Sequence, residues 1–76
     1  MVRAFVLITA KPGAESNIVE DLKSLEDVED AWAVYGEYDI IALINVPDLK
    51  DLDSFVTNEI RRLEDVQFTS TMICIR

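Results

Sequence analysis

Apolar and polar positions along the chain fall into two rhythms that take turns. Residues 2–10, "VRAFVLITA", are rich in β-branched and aromatic side chains and predict a strand. "KPG" then marks a turn. From Ala14 to Leu25 the spacing lengthens, with Ile18, Leu22 and Leu25 at i, i+4 and i+7, one face of a helix. Val28 to Tyr35 predicts a second strand and Asp39 to Val46 a third, joined through "GE". Pro47 stops that strand, and Asp48 is placed to cap a second helix whose apolar stripe is Leu49, Leu52, Phe55, Val56, Ile60 and Leu63. Arg61 and Arg62 fall in its last turn, where cations suit the helix dipole. Val66 to Ile75 predicts a final strand.

The string "LEDV" occurs at Leu25–Val28 and again at Leu63–Val66, each time between a helical and a strand pattern. The chain therefore reads as two related β-α-β units. Joined by right-handed crossovers, they predict an α+β, ferredoxin-like βαββαβ domain: a four-stranded antiparallel sheet with strands one and three central and both helices on one face. The other face is then bare, yet the strands do not become polar there. Ala4, Val6 and Ile8 alternate with Phe5 and Leu7, and Ile40, Ala42 and Ile44 with Ile41 and Leu43. Both faces are apolar where a wet face would be polar. The expectation is a homodimer built sheet to sheet.

Size and composition agree. Seventy-six residues, half of them apolar, make one domain with more apolar surface than a small monomer hides easily. Fifteen acids against seven bases give a net charge of −8, which argues against direct nucleic-acid binding. The acids come in pairs (Glu20-Asp21, Glu26-Asp27, Glu29-Asp30, Glu64-Asp65), the pattern of solvated helix ends and turns. No apolar run approaches the ~18 residues of a membrane span, and no leader is visible, so a cytoplasmic protein is expected.

Candidate chemistry is sparse. Histidine is absent and Cys74 stands alone, which removes the commonest general base, a disulfide and a paired-cysteine metal site. Asp48, Asp51 and Asp53 lack the spacing of a calcium loop, and neither glycine lies in a phosphate-binding loop. No catalytic residue, metal or cofactor is expected. Trp32, Tyr35, Tyr38 and Asp39 are the only concentration of aromatics and acid, which keeps open a small dimeric cofactor-less monooxygenase acting in an enclosed cavity. Two polar features remain, "YGEYD" (35–39) and "VQFTST" (66–71). On the residues alone, a hairpin turn around Gly36 and a β-favouring run are the stronger readings. Asp39 at the head of an apolar strand still requires a partner if it is buried.

Together these two features resemble the effector domain of the Lrp/AsnC family of transcription regulators, also called RAM. Its hallmarks are a G-x-Y-D loop, here Gly36, Tyr38 and Asp39, and about thirty residues later a V-x-x-T-x-T strand, here Val66, Thr69 and Thr71. The "PG" turn and the helix ending before "EDV" also fit, so the resemblance spans the chain. It implies dimers assembled into a ring or disc, with a small molecule, usually an amino acid, bound between neighbouring dimers. The implied ligand contacts are Gly36, Tyr38, Asp39, Gln67, Thr69 and Thr71, with Tyr35 and Ser70 added. Asp39 would pair with the α-ammonium, while hydroxyls and loop N–H groups would take the carboxylate. Full-length relatives carry a helix-turn-helix domain for which this sequence has no counterpart, so a stand-alone sensor, or a modulator of full-length Lrp/AsnC regulators, is expected. An ACT-like amino-acid-binding module shares the fold and the ligand class but lacks this motif pair.

Overall fold

A computed structural model describes residues 1–75. Its elements follow the expected order: β1 (Val2–Ala10), α1 (Glu15–Lys23), β2 (Val28–Ala33), β3 (Ile40–Val46), α2 (Leu49–Phe55) continued by a π-helical turn (Val56–Ile60), and β4 (Val66–Ile73). The sheet order is β2-β3-β1-β4, with every pairing antiparallel, so β1 and β3 are central as expected. The architecture is the ferredoxin-like α+β fold.

The core lies between the sheet and the helices. Ala4, Val6, Ile8 and Ala10 of β1 and Ile40, Ala42, Ile44 and Val46 of β3 meet Ile18 and Leu22 of α1 and Leu52, Phe55 and Ile60 of the second helical segment. No polar or charged residue is buried as a whole among the described residues, although the side-chain oxygen of Asn45 is. The space between the sheet and the helices is filled by apolar side chains, and Trp32 lies on the opposite face of the sheet.

Both copies of "LEDV" adopt the same turn. Val28 N–H donates to Leu25 O at 3.1 Å and Val66 N–H to Leu63 O at 3.2 Å, and each turn feeds an edge strand. The two helices diverge, however. Asp48 caps α2 as expected, its Oδ1 accepting from Asp51 N–H at 2.9 Å, whereas Ala14 at the head of α1 offers no side-chain cap. The predicted second stripe also needs one adjustment. Ile60 lies eight residues beyond Leu52, which in a regular α-helix turns it about 80° off the same line. The π turn, closed by Arg61 N–H donating to Val56 O at 2.9 Å, absorbs one residue and brings Ile60 back under the sheet, fully buried. Leu49, the first member of the stripe, stays exposed.

The open face carries Phe5, Leu7, Ile41, Leu43 and Trp32, with Phe68 and Met72 from β4 beside them, as the pairings Phe5–Met72, Thr9–Phe68 and Trp32–Ile41 require. At one end of this face Arg3 forms two 3.2 Å hydrogen bonds to the Glu29 carboxylate. Next to it, Asn45 Oδ1 is buried and has no hydrogen-bond partner among the described residues. No helix among the described residues is long and apolar enough to cross a membrane.

Candidate functional site

The connection between β2 and β3 is shaped by Gly36, whose φ of +146° is a conformation that side-chain-bearing residues rarely adopt. An added Cβ would meet nothing within 4 Å, so backbone geometry, not space, demands the glycine. Regular strand ends earlier than expected on both sides, at Ala33 instead of Tyr35 and from Ile40 instead of Asp39. Asp39 explains the second boundary. Its N–H donates to Ile8 O at 2.9 Å and its carbonyl accepts from Val34 N–H at 2.8 Å, which closes the hairpin. Its side chain then reaches further along β1, where Oδ2 accepts from Ala10 N–H at 2.8 Å. Ile8 and Ala10 present their backbone groups to the same neighbour, so the carboxylate replaces the carbonyl that β3 would have supplied had it continued. The half-buried acid has found its partner. One oxygen is occupied, and Oδ1 carries no hydrogen bond among the described residues.

On the other side of β1, the ladder to β4 is irregular between Thr9 and Ala10, where Phe68 and then Val66 are the partners and Gln67 is the extra residue. Thr9 Oγ1 accepts from Phe68 N–H at 3.0 Å, and Lys11 N–H donates to Asp65 O at 2.9 Å. Gln67 lines a hollow of about 280 Å³ with Lys11, Glu64 and Asp65. Beyond the bulge, β4 alternates. Thr69 pairs with Ile8 and Thr71 with Val6 on the helix side, while Ser70 pairs with Leu7 on the open face. Thr71 lines a second, mostly apolar groove of about 330 Å³ with Leu49, Leu52, Val56 and Ile73, and with Asp53 at its edge. Gln67 and Thr71 are four positions apart along the strand, roughly 13 Å.

The eight residues singled out from sequence are thus only partly gathered within one chain. Gly36 and Asp39 lie in the connection that meets the end of β1, whose other neighbour is β4 at Gln67 and Thr69. Ser70 is on the opposite face, Thr71 is further down the strand, and Tyr35 is fully exposed while Tyr38 is half-buried. Lys11 and Ala10 were not singled out. They become visible only through the pairing of β1 with both neighbours, although the position of "AKPG" at a strand end marked where to look. A cleft of about 550 Å³ between the first "LEDV" turn and α2 contains none of the eight and is rimmed by Glu26, Asp27, Asp51 and Glu59. The described residues include no cluster of metal-ligating side chains.

Comparison with known proteins agrees with this architecture. A chain described as FFRP-DM1 superposes with a TM-score of 0.95 at 45% identity, over 99% of this chain and all of that one. The feast or famine regulatory protein from M. tuberculosis, solved as a complex with L-methionine, superposes with a TM-score of 0.85 at 27% identity, over all of this chain and 51% of that one. An uncharacterized HTH-type transcriptional regulator of Pyrococcus abyssi is 31% identical over 70 residues, which are 92% of this chain and 44% of the regulator. The chain spans about half the length of the curated relatives it matches. The family model described as Lrp/AsnC ligand binding domain matches residues 3–76, so this chain belongs to the Lrp/AsnC ligand-binding domain family.

Proposed function

We propose that the protein is a non-enzymatic, amino-acid-responsive oligomer. In this reading two chains pair through their open sheet faces, the dimers close into a ring or disc, and an amino acid bound between dimers tunes the assembly. The observation that carries the reading is Asp39. Its carboxylate is anchored by Ala10 N–H through one oxygen and keeps the other, at a strand end where an α-ammonium can approach from outside. The dispersal of Tyr35, Ser70 and Thr71 away from Asp39 fits a site completed by a second dimer. Pairing through the sheet is supported by Phe5, Trp32, Phe68 and Met72, which together leave a broad apolar surface in water. The unpartnered Asn45 Oδ1 adds to this, since an unpaired buried acceptor costs roughly 1–3 kcal/mol and a facing chain can supply a donor. An assembly of this kind can act by itself or join full-length Lrp/AsnC regulators. Neither role involves catalysis.

The test is thermal-shift and sedimentation measurements with each of the twenty amino acids, L-methionine first because a relative was solved with it. At least one amino acid is expected to raise the melting temperature and shift the size distribution, and Asp39→Asn is expected to abolish both responses while remaining folded. If no amino acid changes either quantity, the sensor reading fails.

A further inference from the structure

We propose that Lys11 is the residue that binds the carboxylate of the amino acid, so that the end of β1 recognises both charges of a zwitterion. The proposal rests on the reading of Asp39 given above and adds the second pole of the site. Lys11 follows directly on Ala10, whose N–H holds Asp39 Oδ2. Its own N–H is tied to Asp65 O, which fixes its backbone beside the start of β4 and places the side chain on the hollow shared with Glu64, Asp65 and Gln67.

The ammonium there is uncommitted. Among the described residues the ion pairs are Arg3–Glu29 and Lys23–Asp30, and no carboxylate of those described residues lies within 4 Å of the Lys11 ammonium even though two acids line the same hollow. It can take an incoming carboxylate without breaking an existing pair. Asp39 is its complement, a carboxylate with one oxygen spoken for and one open. A free cation and a half-free anion thus flank one short backbone segment, and an α-amino acid carries the two matching charges. Glu64 and Asp65, which line the hollow with Lys11, also oppose a second negative charge on the ligand. The ligand class is therefore α-amino acids without an acidic side chain, bound through both backbone charges.

Calorimetric titration of the full chain with L-methionine, L-methioninamide and L-glutamate tests this. The amide keeps the ammonium but lacks the carboxylate. The wild-type protein is expected to bind L-methionine about tenfold or more tightly than the amide, as loss of one charge-assisted contact requires. L-glutamate, of similar length, is expected to bind at least as weakly as the amide. In Lys11→Ala the preference for L-methionine over the amide should fall to within about twofold, with binding of the amide unchanged, and Lys11→Arg should restore it. Lys11 is exposed, so the substitutions leave the core untouched. An unchanged preference in Lys11→Ala overturns the assignment of Lys11 while leaving the Asp39 reading intact. Absence of L-methionine binding to the wild type, with Asp39→Asn equally silent, overturns both.

Discussion

The two halves of the chain start from the same plan and finish differently. Both end their helical segment in the same "LEDV" turn and both deliver an edge strand. In the first half α1 is regular, seats Ile18 and Leu22 on the sheet, and runs into β2 with Val28 and Ala31 buried. In the second half the helix needs a π turn to seat Ile60, leaves Leu49 in water, and stands off β4 far enough to open a groove at Thr71 and Ile73. No residue of β4 is fully buried. The first half is the more tightly packed of the two. The second half leaves more of its helix-facing side open, at the groove lined by Thr71 and Ile73.

The comparison can be broken most severely in the core. Leu22 and Ile60 are both fully buried and play corresponding parts. Truncating either to alanine is expected to cost about 2–5 kcal/mol, with the exact loss set by how far the surroundings collapse into the cavity. The neighbours of Leu22 are held by a regular helix, while those of Ile60 include a π turn beside an open groove. Leu22→Ala is therefore expected to cost about 1 kcal/mol more than Ile60→Ala in urea unfolding at one fixed protein concentration. Equal losses, or the reverse order, would show that the second half is packed as rigidly as the first.

A somewhat smaller effect is expected on the open face, where both halves contribute. Phe5 lies on central β1, whereas Met72 lies on edge β4 and is more exposed. A charge buried without a partner is strongly unfavourable. Phe5→Glu is expected to weaken self-association by about a hundredfold or more and to leave monomer in sedimentation at micromolar concentration. Met72→Glu, nearer the rim, should weaken it by about tenfold. A Met72 effect as large as that of Phe5 would place the centre of the contact nearer β4.

Much of this architecture was legible in the residues. The period-two runs of β1 and β3 gave both the central strands and the two apolar faces, because every second side chain must share a face. Asp48 announced its cap through its spacing to Asp51. The repeated "LEDV" announced a repeated turn. What stayed hidden depended on contacts between distant residues. The hydrogen bond between Asp39 and Ala10 joins positions far apart in sequence, and nothing local tells which backbone N–H a carboxylate at the head of a strand will find. The β1–β4 bulge is hidden for the same reason, and with it the place of Gln67 beside Lys11. The separation of Ser70 from Thr69 and Thr71 is a different case. Strand alternation alone implies it, but motif resemblance grouped the three residues together without regard to face.

The finest difference between the halves lies at the helix starts. Asp48 has extended backbone, φ −151° and ψ 175°, which aims its carboxylate at Asp51 N–H; Ala14 has φ −95° and ψ −3°, already close to helical. Asp48→Ala is expected to cost about 1 kcal/mol, the usual value of a side-chain cap. The reverse change, Ala14→Ser, supplies a hydroxyl but not the extended backbone that would turn it toward the free N–H groups, so the gain should stay under about 0.3 kcal/mol. Ala14 is also nearly buried against the core, where a hydroxyl without a good acceptor is unwelcome. Parallel urea titrations of the two variants decide the matter. If Ala14→Ser gains as much as Asp48→Ala loses, the two helix starts are equivalent. The capping difference would then reflect only which residue stands there, and the divergence between the halves would begin after the helices' first turns, at the π turn.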